Sequence, residues 1–177
     1  MSILQGKYHV STIREEDKKD GFVTTLFTGD QFKELIEKEN GLAIALDKGK
    51  VVGYAMAASW EYWSAWPLFQ QMIQDLPNIT YLGQVLNTNN SYQYGPICID
   101  KDYRGTKVLS NLYEFSRKQM NKRYPILITF INHINPRSYR AHTKKLGMDL
   151  IKNFEFNNNH YYELGYDTSK KTPGSDL

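Results

Sequence analysis

Residues 125–132, PILITFIN, form an apolar run with no wet face, so a chain containing it must cover that strand on both sides. The stretch before it is equally informative. YGPICID (94–100) reads as a second buried strand, and YRGTKVLSNLYEFSRKQMNKR (103–123) opens on a glycine turn and closes as an amphipathic helix. Val108, Leu112, Phe115 and Met120 recur at near-helical spacing, with Arg117, Lys118, Lys122 and Arg123 toward the C-terminal end, where cations complement the helix dipole. The other end presents backbone N–H groups without helical partners, a ready anion site.

Around this unit the remaining elements follow from local patterns. HVSTIR (9–14) alternates as a strand and EEDKKD (15–20) is a charged connector. Thr28 and Gln31 are spaced as a capping box, and Phe27 and Phe32 as a hydrophobic staple, for a helix in FTGDQFKELIEKEN. LAIAL and VVGYAMAAS flank DKGK, a hairpin by turn chemistry. Residues 60–90 predict a helix from about Pro67 to Leu76 followed by a polar loop. NPRSYRAHTKKLG (135–147) predicts a short helix, with Asn135 as N-cap, Pro136 at its first position and Gly147 as its stop. MDLIKNFEF, NNN and HYYELGY make a final hairpin, and DTSKKTPGSDL a frayed polar tail. The order implies one domain of α/β (α+β) character, a mixed and mostly antiparallel central sheet with helices on both faces.

Length and composition bound the rest. The 177 residues suffice for one substantial core, and no apolar run approaches the ~20 residues that span a bilayer. Cys98 stands alone, which excludes an internal disulfide and a cysteine-based zinc site. These features lead to the expectation of a cytoplasmic protein without membrane, nucleic-acid or metal partners. The net charge of +3 is too small to argue for nucleic acid, but it is unevenly spread. Residues 1–100 carry 8 Lys and Arg against 12 Asp and Glu, and residues 101–177 carry 14 against 7. That split suits a polyanionic ligand on the C-terminal half and an amine near the N-terminal half.

The turn after YGPICID is neither a Walker loop nor a dinucleotide fingerprint, because the required glycines are missing. It resembles the pyrophosphate loop of the GCN5-related N-acetyltransferase (GNAT) superfamily, R/Q-x-x-G-x-G/A between that family's fourth strand and third helix. Arg104 matches the first position and Gly105 the common following glycine, while Lys107 and Leu109 replace two later small residues. ICID and ILITFIN fall where the family's fourth and fifth strands belong. NPRSYRAHTKKLGM resembles N-x-x-[AS]-x-x-x-[YH]-x-K-x-G-[FM], with one extra residue before the glycine.

The resemblance covers nearly the whole chain: residues 1–168 as the domain, 60–90 as an insertion between the third and fourth strands, and 169–177 as a tail. It implies an N-acetyltransferase that moves an acetyl group from acetyl-CoA to a primary amine, small-molecule or peptide, by direct attack. A non-catalytic acyl-CoA-binding domain of the same fold is the alternative, and a homodimer is compatible with the family. By the resemblance, Ile97, Cys98 and Ile99 offer backbone to the cofactor arm. Arg104, Gly105, Thr106, Lys107, Val108, Leu109 and Ser110 surround its pyrophosphate, and Asn135 and Ser138 contact the arm. The residue that protonates the departing thiolate is His142 counted from Asn135, or Thr143 counted back from Gly147, with Tyr139 as the next choice. The strand SYQYGPICI offers no carboxylate before Asp100, which leaves Glu61 as the best-placed general base. Trp60, Tyr62, Trp63 and Trp66 would either wall an amine pocket or pack the inserted helix onto the sheet.

Overall fold

Two apolar strand faces set the architecture. In the computed structural model, which describes residues 2–9, 11–16 and 25–177, six strands form one sheet in the order β1 (Leu42–Asp47), β2 (Lys50–Ala58), β5 (Ser91–Ile99), β6 (Ile126–Asn132), β8 (Asn159–Asp167), β7 (Asp149–Phe156). All neighbours pair antiparallel except β5 and β6, which run parallel. β2 shows why both faces must be covered: Ala55 and Ala57 enter one core, and Tyr54, Met56 and Ala58 enter another. The first core lies under α5 (Val108–Met120), with Leu112, Tyr113 and Met120 against the sheet. The second lies under α1 (Ser2–Lys7) and α2 (Gly29–Glu37).

Local signals act where they were read. Thr28 accepts from the Gln31 amide at 3.2 Å while Gln31 accepts from the Thr28 amide at 2.9 Å, and the Phe27 and Phe32 rings lie 5.9 Å apart. The DKGK turn closes on Lys48 and Gly49, both at positive φ, which matches the twist of a two-residue hairpin. Asn157 and Asn158 do the same for the β7–β8 hairpin.

Other elements depart from the sequence reading. The described residues of HVSTIR do not extend as a strand: His9 makes only an isolated bridge and residues 11–13 turn and bend, with the Ile13 amide donating to the His9 carbonyl at 2.9 Å. The preceding residues form α1 instead, because Leu4 and Tyr8, one helical turn apart, both bury in the second core. Of the charged connector, residues 17–20 lie outside the described residues. The insertion holds more than one helix and a loop. It contains α3 (Trp60–Trp63), α4 (Pro67–Asp75), a 3₁₀ turn and a small hairpin, β3 (Thr80–Tyr81) with β4 (Gln84–Val85). Trp60, Met72, Leu76, Ile79 and Leu86 pack it on Ile126 and Ile128 as a third core.

The tail is docked, not frayed. Glu114 and Arg117 on α5 are buried against it, so Arg117 is no solvated dipole partner, whereas Phe115 is 45% exposed. The Glu114 carboxylate accepts from Arg117 Nη2 (2.7 Å), Arg117 Nε (2.8 Å), Thr172 Oγ1 (2.6 Å) and the Thr172 amide (3.1 Å), and Arg117 also donates to the Thr168 carbonyl. Burial alone would raise the carboxyl's pKa, but these donors outweigh it and hold it at about 2.

A second buried carboxylate has no such support. Glu163 on β8 is 2% exposed, its Oε1 has no hydrogen-bond partner, and it lines a 150 Å³ cavity with Asp75, Lys152 and Gln71. Burial pushes its pKa up to about 7, against the pull of Lys152, which pairs with Asp75 at the same cavity. The unfolded chain releases this proton near 4.5 and the folded chain near 7, so the folded state holds more protons between them and loses stability as pH rises through that window. Urea unfolding should therefore show a loss on the order of 3 kcal/mol between pH 4.5 and 8 from this group. Glu163→Gln should abolish that slope, and parallel pH profiles for both proteins would contradict it.

Candidate functional site

The site begins where two parallel strands part. β5 and β6 keep register only over Ser91–Ile126, Tyr92–Leu127 and Gln93–Ile128. Next comes Gly95 at φ +110°, a backbone state that suits glycine, and then Pro96, which has no N–H to give a ladder. On the β2 side the register shifts here, with Ala57 opposite Tyr94 and Ala55 opposite Ile97. On the β6 side, side chains replace the ladder: Thr129 Oγ1 and Gln93 Nε2 donate to the Tyr94 carbonyl at 2.6 and 2.7 Å. Beyond that point the strands diverge around a cavity of 760 Å³.

The phase of the remaining β5 ladder decides which backbone groups face this cleft. Asp100 donates to the Val52 carbonyl at 2.8 Å, which places Asp100 and, two residues back, Cys98 in the hydrogen-bonded pairs with β2. Ile97 and Ile99, opposite Ala55 and Gly53, then turn their N–H and C=O groups away from β2 toward the cleft. The Ile99 carbonyl is taken by Arg104 Nε at 2.9 Å.

The turn into α5 is held from below. Asp100, 3% exposed, accepts from Lys7 Nζ (2.9 Å) and Tyr8 Oη (3.1 Å), and the Arg104 guanidinium sits 4.7 Å over the Tyr8 ring. Arg104, Gly105 and Leu109 line the cleft; Thr106, Lys107, Val108 and Ser110 do not. Thr106 is spent on the turn, donating to the Tyr103 carbonyl at 2.6 Å, and Lys107 pairs with Asp176 of the tail at 2.6 Å. The first-turn amides of α5 have no intrahelical acceptor; that of Val108 donates to Thr106 Oγ1 at 3.3 Å, and Lys107 offers no side-chain cap to the next two, Leu109 and Ser110.

The opposite wall is α6 (Pro136–Arg140) and a π-helical turn, Ala141–Lys145. Asn135 caps the helix through the Ser138 amide (3.1 Å) and also lines the cleft, with Ser138 and His142. The extra residue noted before Gly147 is absorbed by the π turn: the Leu146 amide reaches back five residues to the Ala141 carbonyl at 3.1 Å. His142 thereby faces the cleft, while Thr143 Oγ1 donates to the Tyr139 carbonyl and Tyr139 lies against Tyr162 with ring centroids 4.1 Å apart, neither lining it.

His142 is 4% exposed, and its Nδ1 lies 2.8 Å from the Ser138 carbonyl. A carbonyl only accepts, so Nδ1 carries the proton and the neutral ring keeps a basic Nε2. Burial lowers the pKa, partly opposed by that hydrogen bond.

Glu61 is not part of this arrangement. It is exposed on α3 and does not line the cleft, and no Asp or Glu does among the described residues. Trp60 and Trp63 are 0% exposed and belong to the cores, with Trp60 Nε1 donating to Ser91 at 3.0 Å; Tyr62 donates to the Gln31 carbonyl. Of the four aromatics singled out, only Trp66 reaches the cleft. Arg137, Arg140, Lys144 and Lys145 line its mouth and were missed in the sequence, although their run along one short helix was the available signal. No group of His, Cys, Asp and Glu among the described residues is arranged to hold a metal ion, and no helix is long and apolar enough to cross a membrane.

No protein-family model and no curated protein matches this sequence. Solved structures do match in fold. The smu.2055 protein of Streptococcus mutans superposes with a TM-score of 0.57 at 16% identity, covering 94% of this chain and 92% of its own. A ribosomal-protein-alanine N-acetyltransferase from Brucella melitensis gives 0.55 at 16% identity, covering 85% and 88%. An acetyltransferase of the GNAT family from Streptococcus pneumoniae gives 0.54 at 13%, covering 80% and 77%. The chain therefore has the GNAT fold.

The tautomer is open to a direct check. Nitrogen-detected NMR of ¹⁵N-histidine protein should show His142 neutral with its proton on Nδ1 and titrating below 6.5, the ordinary histidine value. A ring protonated on both nitrogens at pH 7 would refute the assignment.

Proposed function

We propose that this protein binds acetyl-CoA in the cleft between β5 and β6 and transfers the acetyl group to a primary amine. The observation that carries the reading is the pair of cleft-facing backbone amides, Ile97 and Ile99, in a cavity that runs from the α5 N-terminus to a mouth lined by cations. A narrow amide-bearing arm fits an edge that offers N–H and C=O groups in strand spacing. Phosphates fit the first-turn amides of α5 and the side chains of Arg137, Arg140, Lys144 and Lys145. The acetyltransferase neighbours support the same reading.

Acetyl-CoA supplies a thioester, and the residues around it have separable tasks. The amide of Ile97 or Ile99 stabilises negative charge on the acetyl oxygen. Arg104, engaged with the Ile99 carbonyl, holds the end of β5 and adds positive charge beside the loop. The attacking nitrogen forms its bond to the acetyl carbon as the carbon–sulfur bond breaks, and the proton it loses ends on sulfur. His142 starts this exchange neutral, so it acts first as proton acceptor and returns the proton to the thiolate afterwards. That replaces both the acid-only role and the Glu61 base expected from sequence. The absence of a carboxylate among the described lining favours a second reading, an acyl-CoA-binding domain without transfer. Release of free CoA in the presence of amines separates the two.

Millimolar CoA should raise the thermal midpoint, since a ligand specific for the folded state stabilises it by mass action. Lys145→Glu should weaken CoA binding by about tenfold, and more at low salt than at high. Unchanged affinity by calorimetry would place the phosphates elsewhere. His142→Ala should lower kcat by about a hundredfold with CoA affinity within a few-fold of the original. Full turnover in that variant would leave His142 a purely structural role.

A further inference from the structure

Residues from both faces of the sheet line the cleft, and its two arms differ in chemistry. The arm beside α5 and α6 carries the cations. The other arm is built by residues from four separate segments: Phe27 before α2, Trp66 and Phe69 flanking the start of α4, Phe130 on β6 and Tyr161 on β8. These rings touch in sequence. Phe27 and Trp66 lie 6.0 Å apart, Trp66 and Phe69 6.4 Å, Phe69 and Phe130 5.6 Å, and Phe130 and Tyr161 5.5 Å. Leu68 and Pro67 complete the wall, and none of these residues bears a charge. Trp66, Leu68, Phe69, Phe130 and Tyr161 all stay partly open to the cavity. They are therefore not simply core, unlike Trp60 and Trp63.

We infer that the acceptor is an arylalkyl primary amine, its ring lying on the Trp66–Phe69–Phe130 wall and its nitrogen directed to the point where β5 and β6 part. The inference rests on the acetyl-transfer reading. A flat apolar body gains burial and ring-to-ring contact along this wall. A polyamine gains neither, and it finds no carboxylate among the described lining residues to hold its additional charges. Attack by the arylalkylamine nitrogen gives the N-acetyl amide and free CoA, with no further reactant.

Three measurements on the full chain decide it. Calorimetry with CoA comes first; if CoA does not bind, the acetyl-transfer reading fails and takes this inference with it. With CoA binding established, acetylation of 2-phenylethylamine, n-propylamine and spermidine is followed by thiol release. The expected result is a kcat/KM for 2-phenylethylamine at least about tenfold above the other two. Spermidine or propylamine equal to it would overturn the inference and leave the acetyl-transfer reading standing. If no amine turns over, tryptophan fluorescence of the CoA complex titrated with 2-phenylethylamine still decides: saturable quenching supports the wall as its site, and none refutes it. Trp66→Ala should raise KM for 2-phenylethylamine by about tenfold without altering the Kd for CoA. Should that variant misfold, Leu68→Glu places a carboxylate on a partly exposed position of the same wall. It should then shift preference from 2-phenylethylamine toward spermidine, and an unchanged ratio would count against the wall.

Discussion

The parting of β5 from β6 after three registered pairs is the feature on which the rest of the molecule depends. A parallel pair normally continues because each buried amide and carbonyl needs a partner. Here the ladder is stopped by groups that remove the need. Pro96 has no amide to satisfy, Thr129 and Gln93 donate to the Tyr94 carbonyl, and Arg104 donates to that of Ile99. What is left over, the amides of Ile97 and Ile99, faces an open cavity and not a neighbouring strand. A splayed sheet would close to bury its apolar edges if nothing held it, and the cores on its two faces do so. α5 clamps the β1–β2–β5 side from one face, while the inserted segment ties the two halves from the other through Trp60 on Ser91 and Phe69 on Phe130.

Seen this way, the insertion is primarily a brace, and only its exposed margin forms part of the site. That explains why its aromatic residues could not be sorted by type. Trp60, Trp63 and Trp66 stand three residues apart, the spacing at which a short helix turns one face toward the sheet. The first two are consumed by that face, and Trp66, at the break between α3 and α4, turns to the cleft. Glu61 lies between the buried tryptophans in sequence and for that reason points to solvent. The lack of a carboxylate on β5 singled it out, and helical geometry turns it away from the cleft.

Elements whose determinants lie within four or five residues were legible. The Thr28–Gln31 box, the Lys48–Gly49 turn and the Asn135 cap all form as their spacing suggests, because the partners are local. Elements decided by distant partners were not. Apart from Leu177 the tail contains only polar and turn-forming residues, yet Glu114, some sixty positions earlier, supplies its anchor through Thr172. Residues 9–14 alternate like a strand, but the sheet ends at β1 among the described residues, and Leu4 with Tyr8 gains more from the core as a helix. The register near His142 was ambiguous for a third reason: one added residue can be taken up anywhere in a helix, and only the backbone shows that a π turn absorbs it after Arg140.

How a site without a carboxylate in its described lining would deprotonate an amine follows from the same geometry. Three effects lower the pKa of a bound ammonium: desolvation, nearby cations, and loss of acceptors for its protons. The cations of α6 are the obvious source, but a bound polyphosphate at that mouth would cancel most of their field, so they cannot be the sustained cause. Desolvation persists, because an apolar body bound on the aromatic wall displaces water there whether or not the other arm is filled. An amine carried on an apolar body is thus driven toward its neutral form by the surface that would bind it. A neutral imidazole with its free nitrogen in the cleft is then a sufficient acceptor, since it has to accept the proton only as the nitrogen attacks. In the proposed reaction, the burial that lowers the His142 pKa and a wall that would desolvate the amine are one physical effect acting on both partners, and it would work in place of a charged base.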